Sequence, residues 1–238
     1  MNIETVSKKI FLKLCYFSLM ILWLSCTGKA EKKEPQTNET NQESTVKASA
    51  DESMKKIVFF GDSLTAGYGL DDTNNAFPGL IQKTIDSLNL NFLVVNSGVS
   101  GETTAGGRGR IDWVLNQKPD VFVLELGAND GLRGVPLSAT RENLQAIIDV
   151  IVTKYPKTTI VLAGMQIPPN MGPEYTKEFK TIFPDLAKKN KLALIPFLLE
   201  DVGGVPSLNQ ADGIHPTEKG HQILAKNVWA VLGPIVSQ

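Results

Sequence analysis

Five short runs of strand-type apolar residues, near positions 56–60, 92–96, 120–126, 158–163 and 192–195, constrain the fold more than any other feature. Apart from Glu125 in the third, the runs are nearly continuous rather than alternating, the pattern of strands covered on both faces in a parallel sheet. The segments between them read as helices near 77–88, 103–117, 139–154 and 174–189, with a last helix near 217–232. Strands alternating with helices from Met54 onward predict an α/β domain, a parallel sheet with helices packed on it.

The first run, Ile57-Val58-Phe59-Phe60, stops at Gly61 and is followed by Asp62-Ser63. A buried parallel strand thus delivers a serine to its carboxyl end, where the loops of open α/β sheets form a ligand crevice. A helix starting just after Ser63 would add unpaired N–H groups and a dipole that favour negative charge beside the hydroxyl. The competing reading is an ordinary serine N-cap. Glu125, the lone charge in the third run, reads as a structurally hydrogen-bonded group.

Composition removes several function classes. The net charge of -1 and the lack of a basic stripe with interleaved aromatics leave no basis for nucleic-acid binding. Both cysteines, Cys15 and Cys26, precede the domain, and the only histidines are His215 and His221. No disulfide, cysteine-metal site or multi-histidine zinc site is therefore expected in the folded domain. Gly101 to Arg108 is glycine-rich but lacks the Lys-Ser/Thr ending of a phosphate loop, and Gly67-Tyr68-Gly69 lacks the third glycine of a dinucleotide fingerprint. No metal or cofactor is implied.

The first 26 residues place Lys8, Lys9 and Lys13 before and within an apolar run, Ile10 to Leu24, too short to span a bilayer comfortably. This is the pattern of an export signal, with a membrane anchor helix as the alternative. Leu24-Ser25-Cys26 resembles a bacterial lipoprotein cleavage site, with Trp23 where leucine is usual. That resemblance implies lipidation at Cys26 and attachment to the cell envelope; Thr27, in place of a retention-type aspartate, favours the outer membrane. Residues 27–53 are polar and poor in large apolar side chains, a disordered tether. Its root-mean-square reach would be about 30 Å, with a stretched limit of about 90 Å. The globular domain is assigned to residues 54–238.

A serine hydroxyl needs an adjacent base, and the base needs an orienting group. His215 lies in Asp212-Gly213-Ile214-His215-Pro216, a turn in which a carboxylate three residues before the imidazole can reach Nδ1. Nε2 is then left to face Ser63. His221, inside the following helix, reads as a surface or packing residue. Acyl transfer also needs donors for a developing oxyanion. The candidates are the N–H groups of Ser63 and Gly101 and the side-chain amide of Asn129, which otherwise reads as a turn residue.

Four segments in this order, Gly61-Asp62-Ser63-Leu64, Gly98 to Thr103, Gly127-Ala128-Asn129-Asp130 and Asp212 to Pro216, resemble the motif blocks of the SGNH, or GDSL-type, hydrolases. The match spans about residues 56–232, essentially the whole domain. Thr65 stands where the second glycine of a Gly-x-Ser-x-Gly elbow would be, which argues against the larger α/β-hydrolase fold. The resemblance implies a three-layer αβα, flavodoxin-like fold with strand order 2-1-3-4-5. It also implies Ser63 as nucleophile, His215 as base and then acid, and Asp212 as its orienter, with Ser63, Gly101 and Asn129 as the oxyanion hole. Gly127 to Gly134 and Met165 to Gly172 look like the exported acyl-thioesterases, lysophospholipases and arylesterases. In that subgroup Ile167 and Met171 would touch the acyl chain; an ordinary Pro-rich loop with buried apolar tips is the alternative. The expected activity is metal-free hydrolysis of acyl esters and thioesters by a serine esterase. A carbohydrate O-deacetylase and a non-catalytic lipid-anchored binding protein are the alternatives.

Overall fold

The structure, a computed structural model, describes residues 54–238. The expected signal segment, the tether and Cys26 lie outside the described residues.

Strands β1 (Lys55–Gly61), β2 (Phe92–Gly98), β3 (Val121–Glu125), β4 (Thr159–Ala163) and β5 (Ala193–Ile195) form one sheet in the order β2-β1-β3-β4-β5. All pairings are parallel. The inner strands β1 and β3 are buried along nearly their whole length, whereas the edge strands β2 and β5 are mostly half-buried. The most apolar runs are thus those flanked on both sides.

The helices are α1 (Ser63–Ala66), α2 (Phe77–Ser87), α3 (Thr104–Val114), α4 (Ala128–Leu132), α5 (Leu137–Lys154), α6 (Pro173–Asn190) and α7 (Glu218–Val236). The five long ones lie where the sequence places them; the short α1 and α4 follow strand ends and carry too few residues for a periodic signal. Helices α2 and α7 pack together, and α5 packs between α3 and α6. With right-handed crossovers these two groups cover opposite faces, giving three layers.

The strand pleat supplies both faces from neighbouring residues. Phe59 meets Phe77 of α2 edge-on, with ring centroids 5.5 Å apart. Phe60, on the other face, packs beside Phe122, and Gly107 brings α3 against it. Among the described residues no helix is long and apolar enough to cross a membrane.

Two features place the site. Chain direction across the sheet reverses between β1 and β3, and crevices in such sheets open at that switch point. The register also aligns Gly61 of β1 with Gly98 of β2 and Glu125 of β3, so three strands end at one level and their following loops converge.

Candidate active site

Ser63 opens the single turn α1, but the cap is Asp62, whose Oδ1 accepts the Leu64 N–H at 3.0 Å. The serine hydroxyl is therefore not spent on capping. A helix does start at Ser63, but because α1 is only four residues long and ends at Gly67 its dipole contributes little. Gly61 is required by space: a Cβ there would overlap Thr65 Oγ1 and Glu125 Oε2.

The Asp212–His215 turn is held from several sides. Asp212 Oδ1 accepts the N–H groups of Ile214 and His215, each at 3.0 Å, and Oδ2 lies 2.7 Å from His215 Nδ1. The Gln210 N–H donates to the His215 carbonyl at 2.7 Å, and its side-chain amide donates to the carbonyls of Tyr68 and Pro216. This ties the turn to the chain leaving α1. The Tyr68 ring lies 4.6 Å from the His215 ring, centroid to centroid. His215 Nε2 then stands 3.0 Å from Ser63 Oγ, across 152 positions of sequence. The hydrogen bonds from His215 and Ile214 hold the Asp212 carboxyl down at about 2, so it is an anion at neutral pH.

The loop after β2 presents Gly101 with φ of 78°, a left-handed conformation suited to glycine in a turn closed by the Glu102 N–H on the Val99 carbonyl. Neither the Ser63 nor the Gly101 N–H donates to another group among the described residues. Asn129, in the first turn of α4, is committed differently. Its Nδ2 donates to Asp62 Oδ2 at 3.0 Å and to the Glu102 carbonyl at 3.1 Å. Arg133 donates to the Gly101 carbonyl at 3.1 Å and to Asn129 Oδ1 at 3.3 Å, linking the two loops.

Ser63, Gly101, Asn129 and His215 share the wall of one cavity of about 580 Å³. The rest of its lining is mainly apolar, including Leu132, Met165, Ile167 and Phe197, and its size suits a small-molecule ligand. Ile167 lines it. Met171 does not: the 3-10 turn Pro169–Met171 leaves it exposed, with its Cε over Gly134 rather than in the cavity. His221 is buried, not superficial; its Nδ1 accepts the Phe77 N–H at 3.2 Å.

Several residues of the site carry no motif signal strong enough to find them from sequence. Gln210 acts through backbone carbonyls, and Arg133, though inside the Gly127–Gly134 segment, through the Gly101 carbonyl and Asn129 Oδ1, contacts that are invisible before the loops are placed. Glu125 did leave a trace, as the lone charge in an apolar strand. It is fully buried beneath Asp62, accepting the Asp62 N–H at 3.1 Å and the Thr65 hydroxyl at 2.7 Å. Burial raises both carboxyls, Asp62 to about 6 and Glu125 well above the usual range, and their mutual repulsion adds to the rise at Glu125.

Residues 59–223 match the model of the GDSL-like Lipase/Acylhydrolase family. The chain is 40% identical over 181 residues to Esterase TesA of Pseudomonas aeruginosa, covering 76% of this chain and 89% of that one. It is 34% identical over 182 residues to Thioesterase 1/protease 1/lysophospholipase L1 of Escherichia coli, covering 76% and 85%. The crystal structure of the psychrotrophic esterase EstA from Pseudoalteromonas sp., inhibited by monoethylphosphonate, superposes with a TM-score of 0.71 at 31% identity. That likeness covers 77% of this chain and all of EstA. Agreement in sequence, in fold and in the order of the four motif blocks leads to one conclusion: the chain belongs to the GDSL-like lipase/acylhydrolase family.

Proposed function

We propose that the protein is a serine-dependent carboxylic ester hydrolase acting on acyl esters and thioesters. The observation that carries this reading is the hydrogen-bonded series from Ser63 Oγ to His215 Nε2, 3.0 Å, and from His215 Nδ1 to Asp212, 2.7 Å. Ser63 Oγ attacks the acyl carbonyl carbon as His215 Nε2 takes its proton, and Asp212 steadies the imidazolium. The carbonyl oxygen becomes an oxyanion facing the Ser63 and Gly101 N–H groups, with the Asn129 amide beside them. The tetrahedral intermediate collapses to an acyl-enzyme as the imidazolium protonates the leaving alcohol or thiol. Water, deprotonated by His215, then releases the acid and restores the serine.

The apolar cavity wall that includes Ile167 and Phe197 favours an acyl chain over an acetylated sugar. Ser63→Ala should lower kcat on a chromogenic short-acyl ester by at least about 10³-fold while leaving the melting temperature nearly unchanged. A fluorophosphonate should label the unsubstituted chain at Ser63; full activity in the variant, or labelling elsewhere, refutes the assignment.

The exported, lipid-anchored state belongs to the same proposal. It is supported by the charged and apolar pattern of residues 1–26 and by Leu24-Ser25-Cys26, with residues 27–53 as tether. In cells, Cys26→Ser should move the protein out of the membrane fraction; unchanged sedimentation with membranes would sink the anchor.

A further inference from the structure

Beneath the nucleophile lies a pair of carboxyl groups that the reaction scheme leaves unused. Asp62 and Glu125 are each only 1% exposed, and they are neighbours: Glu125 Oε2 takes the Asp62 N–H at 3.1 Å. Three of the four oxygens have donors. Asp62 Oδ1 accepts the Leu64 N–H, Asp62 Oδ2 the Asn129 amide, and Glu125 Oε2 both the Asp62 N–H and the Thr65 hydroxyl. Glu125 Oε1 is buried with no donor among the described residues. Two buried anions side by side, one with a bare oxygen, would combine a desolvation penalty with like-charge repulsion. A proton on Glu125 removes both difficulties, because it supplies the missing hydrogen bond and leaves one charge on the pair.

We infer that Glu125 carries a proton on Oε1, donates it to the Asp62 carboxylate, and through Asp62 positions the Asn129 amide for the reaction. This rests on the serine-hydrolase reading above. Both hydrogens of Asn129 Nδ2 are engaged, one on the Glu102 carbonyl and one on Asp62 Oδ2. To meet an oxyanion, the amide must share one of them. A bare Asp62 carboxylate would hold that hydrogen strongly; an Asp62 that already accepts from Glu125 holds it less and yields it as negative charge grows on the substrate oxygen. No bond to the proton breaks, since it stays on Glu125 throughout.

The charged surroundings agree with a single proton. His215 faces Asp62 from the turn before α7. From α3, Arg110 reaches the Gly61 and Ser97 carbonyls but is ion-paired with Glu102. Asp130 of α4 is turned away onto Thr104. Burial raises Asp62 to about 6 and raises Glu125 well above the usual carboxylate range, with the Asp62 charge adding to the rise at Glu125, the directions expected of a pair that shares a proton.

Infrared spectroscopy of the full chain at neutral pH tests this without reference to activity. A protonated carboxylic-acid carbonyl band is expected, and labelling glutamate side-chain carboxyls with ¹³C should shift it. Absence of the band, or a band that does not move, overturns the inference. In Glu125→Gln the amide can donate as the protonated acid does. That variant should lose the band, keep kcat within a few-fold at neutral pH, and lack the alkaline fall in kcat expected of the unsubstituted chain as the proton departs. Glu125→Leu, with neither donor nor acceptor, should lose kcat by about tenfold or more at unchanged KM. Identical alkaline limbs in the unsubstituted chain and Glu125→Gln would also overturn it. Fluorophosphonate labelling of Ser63 in the same sample reports on the hydrolase reading separately, so the two can fail independently.

Discussion

The two histidines sit on either side of one helix start and have opposite chemistry. His215 lies on the turn before α7, with Asp212 on one ring nitrogen and Ser63 on the other. His221 lies in the first turns of α7, past the Thr217 cap, where its ring stacks on Phe77 and its Nδ1 accepts a backbone N–H. Burial, and secondarily His215, pushes the His221 imidazole down from 6.5 to about 4. A protonated ring there would lose its acceptor role and sit uncompensated in the core. A carboxylate partner and an open cavity make an imidazole a base, while a buried N–H partner makes the same group a neutral fastener.

The largest expected effect comes from weakening the first half of that contrast. Asp212→Asn should lower kcat on an ester substrate by about 10³–10⁴-fold with the fold intact, because the amide no longer stabilises the imidazolium or holds its tautomer. A rate equal to that of the unsubstituted chain would mean that another group orients His215.

A smaller effect, on stability instead of rate, tests the second half. The folded pKa of His221 lies below its unfolded value, so the unfolded chain binds the proton first. The stability at stake is fully present above 6.5 and is lost as pH falls toward about 4. Its upper bound is on the order of 3 kcal/mol. His221→Gln should flatten this part of the pH dependence in denaturant titrations and change kcat by no more than a few-fold. Equal acid slopes for the two chains would remove the distinction between the histidines.

Much of the architecture was legible in the residues. All five strands and five long helices lie where the apolar runs and the segments between them put them, because a parallel sheet covered by helices leaves a nearly continuous apolar run at each strand, edge strands included. The motif blocks also singled out Ser63, Gly101, Asn129 and His215, which the fold gathers around one cavity, and Asp212, which lies behind His215 on its Nδ1. Local chemistry was harder to read. That Asp62 caps α1 and Ser63 does not depends on one backbone turn, and that Ile167 faces the cavity while Met171 leaves it depends on a three-residue 3-10 turn. Glu125 stood out as an anomaly, but its partners lie 60 and 63 positions away, on the far side of a crossover.

By itself the sequence determined which segments become strands and helices and which strand ends carry reactive side chains, since these follow from local patterns of burial and turn chemistry. Only the tertiary structure decided which groups touch. The 3.0 Å approach of Ser63 to His215 exists because strand order and register bring distant loops to one level. Hydrogen bonds keep Asp212 an anion at the surface, while burial leaves His221 neutral in the core and raises the carboxyls of both Asp62 and Glu125.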